Sequence, residues 1–278
     1  MKVGIIGLGL VGGSLAKAYQ SSETAEIYGY DNDASVREFA RISGAVNGIL
    51  TKELLPCCDL ILFAIPPKAI VSFIRRYAPL FGKNPLLIDC AGVKRAVCDS
   101  IFPLAEKYGF TFIGGHPMAG SGHSGFRNSR SDLFHGAPMI LVPPRYDDTA
   151  LLDRAEKLLA PAGFGSYSVC TAEEHDRLIA YSSQLSHLLS NAYAQCPGAV
   201  GHSGFSAESY EDMSRAASMN PDMWTELLLT NADYLKTQLD DLIGILGSFR
   251  QALAKGDAEK LHTLLENGRN CKEETNGE

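Results

Sequence analysis

Val3-Gly4-Ile5-Ile6-Gly7-Leu8-Gly9-Leu10-Val11-Gly12-Gly13-Ser14 decides how this chain is read. A short apolar run has the length of a buried strand, and the glycines follow it at once, opening the amphipathic run 14–19. In that strand, turn and helix setting each glycine has a task. Gly7 permits the tight turn, Gly9 lets a pyrophosphate come up to the backbone, and Gly12 lets the helix pack close to the strand. The first amides of the helix would face the phosphates, so Gly7, Leu8, Gly9, Leu10, Val11 and Gly12 form a candidate phosphate cradle. A second run, Ile27-Tyr28-Gly29-Tyr30-Asp31, ends in an acid 19 residues after Gly12. Asp31 is placed to accept a hydrogen bond from a ribose 2′-hydroxyl and to repel a 2′-phosphate, which predicts NAD rather than NADP. Asn32 and Asp33 follow directly and leave open which side chain makes that contact. The run 60–65 predicts a further strand whose carboxyl end lies over the cofactor, with Ala64, Ile65 and Pro66 as candidate contacts and Pro66-Pro67 as its stop.

Further apolar runs of strand length occur at 86–88, 111–113 and 139–142, separated by segments of helical periodicity. This alternation predicts an α/β domain with a mainly parallel sheet, a Rossmann-like dinucleotide-binding domain over residues 1–170. Beyond it the texture becomes helical. Thr171 with Glu174 three residues on reads as a capping box, and Leu178, Ile179, Leu185, Leu188 and Leu189 follow at helical spacing. Asn220-Pro221 reads as a cap and first-turn pair opening a long apolar helix, or a hairpin broken near Gly244 or Gly247. Residues 171–278 are therefore expected to form an all-helical domain whose apolar surface supports a homodimer, with 267–278 frayed.

The 278 residues carry 25 Lys and Arg against 32 Asp and Glu, a net charge of -7, so no general attraction to nucleic acid or an anionic membrane is expected. An odd count of 7 cysteines without a CxxC pair fits neither a disulfide framework nor a zinc site, and no metal is expected. The apolar start is too short and glycine-broken for a membrane span, and a soluble cytoplasmic protein is the expectation.

The stretch Gly114-Gly115-His116-Pro117-Met118-Ala119-Gly120-Ser121-Gly122-His123 is a glycine-dense loop after a strand. At the strand end of a dinucleotide fold, His116 is placed to take the proton from a hydroxyl being oxidised to a carbonyl. His187 and Ser183 lie four apart and share a helix face, as two groups pointing into one cleft would.

Five segments together resemble the prephenate/arogenate dehydrogenase family: the glycine turn, Asp89-Cys90-Ala91-Gly92-Val93-Lys94, the GGHPMAGS loop, Glu174-His175-Asp176, and Arg215 followed by Asn220-Pro221-Asp222-Met223-Trp224. The resemblance implies NAD-dependent oxidative decarboxylation: hydride leaves the cyclohexadienyl ring, the hydroxyl proton goes to His116, and CO2 departs as the ring becomes aromatic. It implies Arg215 as the substrate-carboxylate clamp, for which the planar guanidinium fork is suited. Ser121, His175, Ser183, Gln184 and His187 are the further candidate substrate contacts. The family pattern is altered at several places. Its usual Ser is Gly92, its first helical-domain His is Gln184, its Phe-Arg-Asp reads Tyr210-Glu211-Asp212, and its acidic-basic pair is Gly122-His123. Prephenate and arogenate differ only in a keto or amino side chain. Prephenate is the expected substrate, with arogenate or an NAD-binding sensor without turnover as the alternatives.

Overall fold

The computed structural model describes residues 1–120, 122–199 and 208–275. They form two compact units, Met1–Asn231 and Ala232–Glu278. Among the described residues, no helix is long and apolar enough to cross a membrane.

The first unit is built on one eight-stranded sheet in the order β3-β2-β1-β4-β5-β6-β7-β8. Its strands are β1 (Lys2–Ile6), β2 (Glu26–Tyr30), β3 (Gly48–Ile49), β4 (Leu60–Phe63), β5 (Leu86–Asp89), β6 (Thr111–Pro117), β7 (Pro138–Val142) and β8 (Ser166–Val169). Strands β1 to β6 run parallel; β7 is antiparallel to β6, and β8 is parallel to β7. The expected Rossmann-like α/β domain is thus present, extended by two strands. The short β3 and the largely exposed β8 carry no apolar run that would have marked them. The strand expected over 60–65 ends at Phe63, because Pro66 and Pro67 begin a helix instead.

All four β4 residues are fully buried, and alternation divides them: Leu60 and Leu62 join one core, Ile61 and Phe63 the other. The first core is covered by Leu15 and Tyr19 of α1 (Leu10–Ser21), Ala40 of α2 (Ala34–Ile42) and Leu159 of α5 (Thr149–Leu159). The second is covered by Ile70 and Ile74 of α3 (Pro67–Tyr77) and Val97 and Ile101 of α4 (Arg95–Tyr108). Each of the Leu, Ile and Val side chains among them stabilises the layer by about 1.5–3 kcal/mol relative to exposure.

Thr171 caps α6 (Ala172–Ile179), its hydroxyl accepting the Glu174 N–H at 2.8 Å. The expected continuous helix is interrupted by a π-helical stretch at Ala180–Leu185 before α7 (Ser186–Ala194). Apolar spacing carries no mark of such a turn. α8 (Glu208–Ser214) leads to α9 (Pro221–Thr230), which Asn220 caps by accepting the Met223 N–H at 3.1 Å.

The second unit consists of α10 (Ala232–Lys255) and α11 (Ala258–Thr275). Of the two alternatives, a long helix or a hairpin broken near Gly244 or Gly247, the break does not occur at either glycine. A helical glycine costs only about 1 kcal/mol, and α10 runs through both. The breaks fall at Asn231, whose φ of -117° ends α9, and at Gly256, whose φ of 63° suits a residue without a Cβ. The tail expected to fray from 267 is helical to Thr275. Ile243, Ile245, Leu246, Leu253 and Leu265 leave this unit with large exposed apolar side chains.

Candidate active site

The glycine turn lies where β1 and β4 sit side by side while β2 and β5 lead away in opposite directions, the crevice at which such sheets take ligands. Gly7 has φ 88°, and a Cβ there would lie 2.3 Å from the Ala64 carbonyl oxygen, so the turn closes tightly onto the end of β4. A Cβ on Gly12 would stand 1.8 Å from the Gly7 carbonyl oxygen. Gly9 is different: nothing lies within 4 Å of its Cβ position. It begins α1 with no side-chain cap, so the first amides of the helix have no side-chain acceptor from their cap. Leu8 N–H donates to Asp31 Oδ2 at 2.8 Å and Asp33 N–H to Asp31 Oδ1 at 3.0 Å, so the acid at the end of β2 is tied to the turn. A carboxylate so bonded keeps spare lone pairs for a ribose. Asp33 is occupied otherwise, capping α2 through Ser35 N–H at 2.8 Å. Pro66 precedes α3, whose Lys68 N–H donates to Glu226 Oε1 at 2.8 Å.

His116 stands near the carboxyl end of β6, opposite Ile140 of β7. Its Nδ1 is 2.9 Å from His175 Nε2, and His175 Nδ1 is 2.7 Å from Asp176 Oδ1. The direction of these bonds follows from the last partner. Asp176 also receives the backbone N–H groups of Lys94, at 2.7 Å, and Arg95, at 2.9 Å, and so acts as a carboxylate acceptor. Neutral His175 must then donate from Nδ1 and accept at Nε2, which makes Nδ1 the protonated nitrogen of neutral His116 and leaves its Nε2 bare. Burial opposes ionisation of Asp176, but the bonds from His175, Arg95 and Lys94 outweigh it and hold the carboxyl below its ordinary value. Burial, then the neighbouring His175 and Lys94, hold His116 well below 6.5. His175 is also lowered, by burial first, with its bond to Asp176 opposing.

The bare Nε2 lies 3.9 Å from where a Cβ on Gly92 would be, and Leu227 Cδ2 lies 3.5 Å from the same point. Helix α9 brings several groups to this place. Trp224, Leu227 and Asn231 follow at spacings of three and four, hence one face. Trp224 stacks on His187 with centroids 4.2 Å apart, and His187 Nδ1 donates to the Ser183 carbonyl at 2.8 Å. Asn231 Oδ1 accepts from Arg95 at 2.8 Å, while its Nδ2 donates to the Asp176 carbonyl and to Gln184 Oε1, each at 2.8 Å.

The sequence candidates are thus distributed unevenly. His116, Ser183, Gln184 and His187 lie on elements joined by α9. His175 is buried with both ring nitrogens engaged, so its ring is not open to the substrate contact expected of it. Gln184 is buried with Nε2 unpartnered among the described residues. Arg215 is exposed in the turn after α8. Ser121 lies outside the described residues. Asp176, Asn231 and Leu227 were not singled out from sequence as functional side chains. One acid among several in a polar helix and residues along an apolar helix face carry no local mark of such roles.

A family model described as the nucleotide-binding domain of prephenate dehydrogenase matches residues 15–167, and one described as its dimerization domain matches residues 171–267. A cyclohexadienyl dehydrogenase of Zymomonas mobilis is 28% identical over 93% of this chain and 90% of that protein. The crystal structure of Synechocystis arogenate dehydrogenase has TM-score 0.79 and 27% identity, covering 99% of this chain and 100% of the other. That of Aquifex aeolicus prephenate dehydrogenase with hydroxyphenyl propionate and NAD+ has TM-score 0.83 at 23% identity, covering 99% and 98%, a likeness of fold. With both halves of the chain matched by its models, this protein belongs to the prephenate dehydrogenase family.

Proposed function

We propose that this chain oxidises and decarboxylates prephenate with NAD, and that His116 is the base. The observation that carries the reading is the bare Nε2, held by the Asp176–His175–His116 chain of hydrogen bonds and facing Gly92. NAD would lie on Gly7, Leu8, Gly9, Leu10, Val11 and Gly12, with Asp31 toward the ribose and Ala64, Ile65 and Pro66 beneath; when bound, it supplies the hydride acceptor. The open Cβ position of Gly9 and the uncapped start of α1 fit such a group.

His116 Nε2 accepts the ring-hydroxyl proton as the carbonyl forms, and the imidazolium is stabilised by donation from Nδ1 toward His175. Arg215, Ser121, Ser183, Gln184 and His187 are proposed substrate contacts, with Arg215 on a carboxylate; His175 acts through His116. The proposed division of labour sets nucleotide binding in residues 1–170 and substrate binding in 171–278. The latter makes a homodimer through its exposed apolar helices, in the cytoplasm, without nucleic acid or membrane.

Initial-rate NADH formation with prephenate and with arogenate, each with NAD and NADP, tests this. Faster turnover of prephenate with NAD is expected. A preference for arogenate would assign Gly92 and Gln184 to that substrate, and NAD binding without turnover of either would mark a sensor. The pH dependence has a defined sign. His116 must be neutral to act, and its value is depressed, so kcat/KM should stay level through neutral pH and fall only below 6.5 as His116 gains its proton. An acid limb at or above that value would contradict the assignment.

Gly12→Val should raise the Kd for NAD by at least ~100-fold, because a side chain cannot share the space of the Gly7 carbonyl oxygen. Fluorescence titration with NADH checks this, with circular dichroism showing that the fold persists.

A further inference from the structure

Beneath His116 lies a fully buried ion pair that no step above uses. Lys94 Nζ donates to Asp89 Oδ2 and to the Gly115 carbonyl oxygen, the latter at 2.5 Å. Asp89 Oδ1 accepts the Gly115 N–H at 3.1 Å, and Oδ2 the Ala91 N–H at 3.0 Å. Both backbone groups of the residue before His116 are therefore held by this one pair.

The topology explains why something must hold them. Pairing of β5 with β6 ends at Ile88 and Ile113. Past that point β6 is laddered only to β7, and Asp89 and Lys94 take over on the other side. Gly114 and Gly115 make the approach feasible: a Cβ would lie 2.6 Å from Cys98 Sγ at the first and 2.5 Å from the Asp89 carbonyl oxygen at the second. Lys94 also reaches His116 by a second route, since its own N–H holds Asp176, which orients His175. A buried pair of this kind gives little net stability, because desolvation of both charges offsets their attraction. Its placement has another consequence.

We propose that the Lys94–Asp89 pair is the positioning element of the site, clamping the strand that carries His116 and setting a fixed positive charge behind the His116–His175 couple. This rests on His116 being the base. Among the described residues, the charged groups set against the couple are Asp89 at the end of β5, Lys94 just before α4 and Asp176 from α6, with Arg95 of α4 acting through Asp176; α9 offers Leu227 and β7 offers Ile140, both apolar. Among these, Lys94 disfavours a second positive charge on either imidazole, consistent with the lowering it exerts on both. Burial is the largest cause of the lowering at both rings and Lys94 adds to it, while Asp176 and Asp89 oppose it at His175.

Protonation of His116 followed by NMR of its ring Cε1–H, assigned with His116→Gln, reads this without turnover. The double variant Asp89→Asn/Lys94→Met removes both charges while an amide oxygen can still accept from Gly115. Its His116 midpoint should rise toward the ordinary histidine value, and kcat with prephenate should fall by roughly 10-fold or more as the strand loosens. Cys98→Ala, which loosens packing beside the pair and keeps its charges, should lower Tm and leave the midpoint in place. An unmoved midpoint in the double variant overturns the proposal. In the unaltered chain, 15N-lysine NMR should find Lys94 as an ammonium wherever His116 titrates; a neutral amine there overturns it as well, even if the double variant does not fold. Failure to turn over prephenate or arogenate would instead strike at the functional reading, since the titration needs no substrate.

Discussion

His116→Ala is expected to lower kcat with prephenate by about 10²–10⁴-fold while leaving the Kd for NADH unchanged. The substitution removes the bare ring nitrogen that faces Gly92. His175, next in the chain, cannot replace it, because its Nε2 is 2.9 Å behind His116 Nδ1 and its Nδ1 is committed to Asp176. The acid limb of the pH profile should disappear with the side chain, since no other group would have to lose a proton. Steady-state kinetics alongside NADH titration check the result. A fall of less than ~10-fold with the limb retained would move the base elsewhere.

Asp176→Asn is expected to be nearly as severe and to act differently. Asp176 accepts four N–H groups, from the backbone of Lys94 and Arg95, from Arg95 Nε at 3.4 Å and from His175. An amide offers one acceptor oxygen, so its NH2 must face at least one donor. Each buried donor left unsatisfied costs about 1–3 kcal/mol, and Tm should fall accordingly. If the amide turns its NH2 to His175, that ring must accept at Nδ1 and carry its proton on Nε2. His116 is then forced to accept at Nδ1, and its Nε2 bears the proton that should be absent. A reversed tautomer of this kind should lower kcat by ~10²–10⁴-fold with little change in KM, as the loss of an orienting carboxylate does in other His-dependent enzymes. His175→Gln should fall between this variant and the parent, because an amide can still accept from His116 Nδ1 without relaying the orientation set by Asp176. Thermal unfolding and the split between kcat and KM separate the stability and tautomer effects.

Much of the fold could be read from local pattern. The glycine turn, the apolar runs of β1, β4 and β5, the Thr171 cap and the Asn220-Pro221 start all depend on neighbours a few residues away, and each lies where that reasoning sets it. The misplaced features share a cause. Gly244 and Gly247 are weak helix formers locally, yet the chain breaks at Asn231, whose amide is bonded to residues 136, 55 and 47 positions away in sequence. The π turn between α6 and α7 likewise has no local signature.

The chain by itself determined a nucleotide-binding α/β domain, a helical remainder, and His116 at a strand end, because turns, caps and alternation are short-range consequences of side-chain shape. Which nitrogen of His116 is bare is set by contacts made across the fold. That depends on His175 and Asp176 arriving from a helix 59 and 60 residues on, and on backbone amides of Lys94 and Arg95 that hold the carboxylate. The buried Lys94 was legible as a position in a motif but not as a charge under the site. A lysine at that spacing is ordinarily a solvated surface group, and it becomes buried and paired only because β6 leaves the β5 ladder at Ile113 and exposes Gly115 to it.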